Sequence, residues 1–367
     1  MLKTDSYSEG TIFEAPEKRP PKKSWHDWLV GRPLQTADAP HQTIGKTIGL
    51  AVFASDALSS TAYATQEIMI ILAVAGSGAL GYVFPISLAI VTLMVIVTIS
   101  YEQTIHAYPG GGGAYIVARD NLGELPAQTA GAALLTDYIL TVAVSISSGV
   151  AQIVSAFPEL YAYRVGIGVA MVLFVMLINL RGVKESGITF AIPTYFFVIA
   201  MFVTVGVGMF RYFAGSLGLV VSPPHYTVEG ALSVVTPFLL LHAFSSGTSC
   251  LTGIEAIANG VTAFKEPSPR NAGIVLVWMG AILAVLFLGI RYLARATAAV
   301  PSEAETVISQ MTRAIYGVML SLRAAVRRFE PDRILFAWDA GKSVFRTRLY
   351  PAYKAQRNTD DEEKLAE

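Results

Sequence analysis

The chain has 367 residues, 53% of them hydrophobic and only 15% charged, and a mean hydropathy of +0.51, a balance that excludes an ordinary soluble globular protein. Its 27 basic and 27 acidic side chains cancel, so no net field draws the whole chain toward nucleic acid. A single cysteine, Cys250, rules out an intrachain disulfide framework.

Residues 1–44 are polar and mixed in charge and lack an apolar h-region, so they read as a cytoplasmic tail and not as a cleaved signal peptide. From residue 45 onward, apolar stretches recur at about 46–76, 81–100, 127–156, 165–180, 189–212, 232–261 and 272–294, which predicts seven membrane-crossing helices. With the N-terminus inside, the tail carries Lys3, Lys18, Arg19, Lys22, Lys23, Arg32 and Lys46. The later inside loops carry Arg119, Arg181, Lys184, Lys265 and Arg270, whereas the outside loops carry only Arg164 and Arg211. Positive loops stay in the cytoplasm, so the chain is expected in a membrane with its N-terminus inside.

The first stretch, AVFASDALSSTAYATQEIMIILAVAG, places Asp56 among Ser55, Ser59, Ser60 and Thr61. A carboxylate near the bilayer midplane costs at least ~2.5–3.5 kcal/mol, so it faces a cavity or a partner. The hydroxyls predict a local unwinding of this helix, with side chains satisfying the freed backbone. In the third stretch, Asp137, Thr141 and Ser145 are spaced to lie on one helix face. A carboxylate and two hydroxyls are hard oxygen ligands suited to an alkali cation. The sixth stretch, LLLHAFSSGTSCLTGIEAIANG, carries Ser245, Ser246, Gly247, Thr248, Ser249 and Gly253 at its centre, with Thr252 and Glu255 beside them. Lying five spans after the first, it should cross in the opposite direction. Paired interruptions in two inverted halves point to a substrate site at mid-membrane, although small residues also serve close helix packing. Tyr63 follows Asp56 by about two turns. Glu255 reads equally as a helix-end acid or as a proton-coupling group. His106 and His242 have no second His or Cys at metal spacing and read as structural.

ASDALSSTAYATQEIMIILA, YPGGGGAYIVARDNLGE, LLTDYILTVAVSIS, NLRGVKESG and AFSSGTSCLTGIEAIAN closely resemble the amino acid–polyamine–organocation superfamily. Within it, they are most similar to the bacterial high-affinity potassium–proton symporters, over about residues 26–310. The resemblance implies a mainly α, LeuT-like fold of inverted five-helix repeats. It implies transported K⁺ and H⁺ with no cofactor, and a cation held by Asp56, Tyr63, Asp137, Thr141, Ser145 and Thr252, with Glu255 coupling protons. Its expected partners are the lipid bilayer and a small cation, with a second copy of the chain as a candidate. An amino acid permease is the alternative. Such permeases resemble one another in a Gly-rich break that holds a carboxylate, and this chain has SDALSST there. An aspartate repels a carboxylate and attracts a cation, so a cationic amine also stays open. The YPGGGGAY run is followed by no GK[ST] and preceded by no strand, so it is not a phosphate loop.

Beyond Ser302 the apolar spans stop, and the transporter portion, residues 45–311, is expected to be truncated, with a cavity open on one side and no transport by the chain alone. The segment TRAIYGVMLSLRAAVRRFEPDRILFAWDAGKSVFRTRLYPAYKAQR reads as a soluble α/β fragment, residues 312–367, with a short buried strand ending at Asp339. It resembles the N-terminal part of 5′–3′ exonucleases and flap endonucleases. The resemblance implies Asp339 as a vestigial Mg²⁺ ligand, and Arg346, Tyr350, Lys354 and Arg357 as DNA-phosphate contacts. One carboxylate does not make a two-metal site, so no enzyme activity is expected, and nucleic acid is not an expected partner. Twelve Lys and Arg in residues 295–367 would emerge outside, against the charge rule. A join of two incomplete genes accounts for that conflict; a seven-span regulatory protein is a third reading with no positive support.

Overall fold

The computed structural model describes residues 42–220, 234–302 and 305–317, which belong to one compact unit, Met1–Gly317; the side chains of residues 183 and 184 are not included. The second unit, Val318–Glu367, lies outside the described residues, and with it the expected strand and fragment.

Every one of the seven apolar stretches is helical. The long helices are α1 (Lys46–Ala73), α2 (Val83–Ala107), α4 (Glu124–Ala156), α5 (Arg164–Asn179), α6 (Val183–Phe213) and α9 (Ser268–Ala296). A short α3 (Gly113–Leu122) bridges α2 and α4, and the sixth stretch is split into α7 (Pro237–Gly247) and α8 (Glu255–Asn259). No β-strand occurs among the described residues. Five segments are long and apolar enough to cross a membrane: Ser77–Ala107, Glu124–Ala156, Pro158–Asn179, Glu185–Phe213 and Ser268–Ala296. The chain is therefore a multi-pass, mainly helical membrane protein. The expected count of seven spans is met only in part: α1 is too polar to reach that measure, and the helical pieces of the split sixth stretch are too short.

α1 is the axis of the fold. It packs against α6, α7 and α9 and also touches α4. Its small residues Gly49, Ala51, Ala54, Ala57 and Ala64 are buried and let neighbouring backbones approach. The expected unwinding near Asp56 is not found, because α1 is helical throughout. No Gly or Pro occurs between Leu50 and Ala75 to interrupt it. The hydroxyls of Ser55, Ser59, Ser60 and Thr61 instead donate to carbonyls three residues back, those of Val52, Asp56, Ala57 and Leu58.

The sixth stretch is broken as its Ser/Gly content predicts. α7 starts at a Thr236 cap, whose side chain accepts from the Leu239 N–H, and gives way after Gly247 to a 3₁₀ turn at Thr248–Leu251. Gly253 then takes φ +88°, and α8 begins at Glu255. At the far end of this segment, Ile44 pairs with Phe264: the Ile44 N–H donates to Ala263 O at 2.9 Å and the Lys265 N–H to Ile44 O at 3.0 Å. The start of α1 and the end of the broken stretch thus meet at one face, where Phe53 also stacks on Phe264. α1 and α7–α8 consequently run in opposite directions.

Candidate cation site

The polar centre lies where α1, α4 and the break between α7 and α8 meet. On α4, Asp137 and Ser145 are half-buried and Thr141 is buried, while Ile139, Leu140, Val142 and Val144 on the other faces are exposed. The predicted stripe is therefore real and faces inward. The Ser145 hydroxyl donates to Asp56 Oδ1 at 3.0 Å and lies 3.4 Å from the Ser59 hydroxyl, pinning α4 to α1. This charge-assisted bond fixes one carboxylate oxygen. The other oxygen faces the break, and a Cβ added at Gly253 would stand 3.0 Å from Asp56 Oδ2. Glycine brings the broken backbone up to the carboxylate, and its positive φ needs that same residue.

Tyr63, almost fully buried two turns along α1, faces the hydroxyls of Ser145 and Thr252. Thr252 donates its own proton to Ser249 O at 2.8 Å, which leaves an oxygen lone pair available. Glu255 is buried at the start of α8, and its Oε1 has no hydrogen-bond partner. Asp137 is close enough for its charge to act on both Asp56 and Glu255. The sequence-derived set of Asp56, Tyr63, Asp137, Thr141, Ser145, Thr252 and Glu255 is thus gathered into one region. Among the described residues, no Lys or Arg forms a salt bridge with any of its three carboxylates.

Parts of this region escape sequence reading. The glycine run belongs to it: the Gly112 N–H donates to Asn259 O at 3.3 Å, and a Cβ on Gly113 would come within 2.1 Å of Asn259 Oδ1. The loop wraps the end of α8, and Asn259 in turn donates to the Tyr138 hydroxyl at 2.5 Å. The run YPGGGG was the available signal, since four successive glycines mark a close backbone approach. Arg291 on α9, legible in the sequence as a charge inside the seventh apolar stretch, is fully buried and donates to Thr65 O at 3.1 Å, while its Nε and Nη2 lack partners. His106, on α2, and His242, on α7, are exposed. Asp339, Arg346, Tyr350, Lys354 and Arg357 fall outside the described residues.

Similarity to known proteins follows the same outline. Residues 43–325 match the amino acid permease family. The potassium transporter KimA of Bacillus subtilis (strain 168) is 48% identical over 291 residues, covering 79% of this chain and 47% of that protein. The chain therefore spans about half the length of that relative. Residues 284–367 match the 5′–3′ exonuclease N-terminal resolvase-like domain. DNA polymerase I of Streptococcus pneumoniae is 52% identical over 52 residues, which is 14% of this chain and 6% of the polymerase. The permease match covers the whole described helical unit, from the start of α1 past the end of α9, and the chain belongs to the amino acid permease family.

Proposed function

We propose that the described helices form the cation-binding half of a secondary transporter, a potassium–proton symporter with its N-terminus in the cytoplasm. The observation that carries this reading is the convergence of Asp56, Asp137 and Glu255 in a membrane interior without a basic partner among the described residues. Unbalanced carboxylates in that setting call for a bound cation or a proton. The serine, threonine and tyrosine oxygens around Asp56 supply neutral donors that can replace part of an alkali ion's hydration shell. Glu255, with one oxygen free, takes the proton-carrying role.

An amino acid substrate fits less well. Its carboxylate would need free N–H groups on an opened α1, and α1 is closed helix around an aspartate. Similarity to a potassium transporter supports K⁺ over an organic amine. In this reading all seven helical stretches cross the bilayer, α1 and α7–α8 being sheltered from lipid by their neighbours, in the inverted-repeat arrangement of the LeuT-like fold.

The test is cation binding by the purified chain in lipid nanodiscs. K⁺ should bind, and Asp56→Asn and Asp137→Asn should each remove that binding with helicity unchanged. Parental K⁺ binding in both variants would overturn the site. Excess putrescine that displaces K⁺ better than Rb⁺ does would favour the amine reading. For residues 312–367, we infer a piece of an exonuclease gene joined in frame to the transporter. Sequencing genomic DNA across codons 290–330 tests that join, and cleavage of a flap substrate with Mg²⁺ would refute the expected lack of nuclease activity.

A further inference from the structure

We propose that Glu67 is a second, outer station for a monovalent cation, one helical turn beyond Tyr63. The proposal rests on the cation-transport reading above. A cavity of about 350 Å³ lies between α1 and α4, lined by Tyr63, Gln66, Glu67, Ser147, Ser148 and Gln152 among others. Since liquid water takes about 30 Å³ per molecule, this space holds a cation with a hydration shell.

Glu67 is the uncommitted charge in that wall. Gln66 is held from both ends: its Nε2 donates to Ser302 O at 3.1 Å, and its Oε1 accepts from the Val307 N–H at 3.1 Å. Gln152 Oε1 accepts from the Thr306 hydroxyl at 2.7 Å. Glu67 makes no hydrogen bond or ion pair among the described residues, and it is half-buried in α1, which the reading above takes across the membrane. A carboxylate so placed is stabilised by a cation in the space it faces. The hydroxyls of Ser147 and Ser148 are likewise uncommitted among the described residues and stand across the cavity. Tyr63 lines this cavity and also faces Ser145 and Thr252, so its ring separates the outer space from the Asp56 site. An arriving ion would rest at Glu67 with part of its water, then shed that water in passing Tyr63.

The experiment is equilibrium binding of radioactive Rb⁺ to the full chain in nanodiscs. Glu67→Gln should bind one ion fewer per chain than the parent, Asp56→Asn one fewer, and the double variant two fewer; Glu67→Asp should restore the parental number. Parental stoichiometry in Glu67→Gln overturns the outer station even if Asp56→Asn loses its ion. Loss in Glu67→Gln with parental binding in Asp56→Asn supports the outer station and overturns the inner site. A measurement free of folding effects uses the unsubstituted chain: carbodiimide labelling of Glu67, read by mass spectrometry, should fall several-fold in Rb⁺ relative to N-methylglucamine. Equal labelling in both salts overturns the proposal.

Discussion

α1 and α5 are opposites in apolarity and in burial. α5 is almost uniformly apolar, yet none of its residues is buried, and Val165, Val169, Leu173 and Phe174 are open on its surface. α1 carries Asp56, Gln66, Glu67 and seven hydroxyl side chains, counting Tyr63, and more than half of its residues are buried. In water this ranking would be inverted. In a bilayer the solvent is itself apolar, so a uniformly apolar helix can face it, and polar atoms collect where other helices surround them. The helix with the weaker membrane signature is therefore the centre of the structure.

The largest effect that would break this comparison comes from the break that faces α1 in the site. Gly253→Ala places a Cβ 3.0 Å from Asp56 Oδ2 and 3.2 Å from the Ala57 N, on a residue with φ +88°. We expect at least ~1 kcal/mol of backbone strain together with a displaced carboxylate, and K⁺ affinity should fall by ten-fold or more by nanodisc titration. Parental affinity would show that the break does not shape the Asp56 pocket. Gly113→Ala should act similarly from the α3 side, since its Cβ would collide with Asn259 Oδ1 and force α8 to move.

A middle-sized effect compares packing directly. Ile68→Ala in α1, at a fully buried position, should lower stability by about 2 kcal/mol or more through the cavity it leaves. Leu173→Ala in α5, half exposed, should stay within ~0.5 kcal/mol, because lipid fills the space. Thermal midpoints of the two variants in one detergent check the pair, and equal shifts would refute the assignment of α5 to the lipid face. Smaller again is Ser145→Ala, which removes the donor to Asp56 Oδ1. The loss of this one hydrogen bond to a charged group, about 1.5 kcal/mol, should weaken K⁺ binding and lower the thermal midpoint by less than Ile68→Ala does. A small shift is also expected for Arg291→Met. This change gives up one bond to Thr65 O but removes two nitrogens that lack partners, so stability should stay within about 1 kcal/mol of the parent.

Hydrophobic runs locate every long helix but not the short α3, and the spacing of Asp137, Thr141 and Ser145 correctly gives one inward face. The break in the sixth stretch is legible too, because Ser and Gly at Gly247–Gly253 weaken helix continuity. The same hydroxyl-rich composition misleads in α1, where hydroxyls bond to carbonyls of their own helix and leave it whole. What separates the two is glycine, present in one centre and absent from the other. Contacts between distant segments are not legible. Neither the docking of the glycine loop on Asn259 nor the ties of Gln66 and Gln152 to residues 302–307 has a local pattern, since each depends on how helices far apart in sequence meet.

The pairing of Ile44 with Phe264 carries a mechanical meaning. Two backbone hydrogen bonds and the stacking of Phe53 on Phe264 couple the foot of α1 to the foot of the broken segment. Asp56 is carried on one of these pieces and Glu255 on the other. A displacement of the chain just before α1 would therefore be transmitted to both acids at once, which in the proposed reading are the cation-holding and proton-carrying groups.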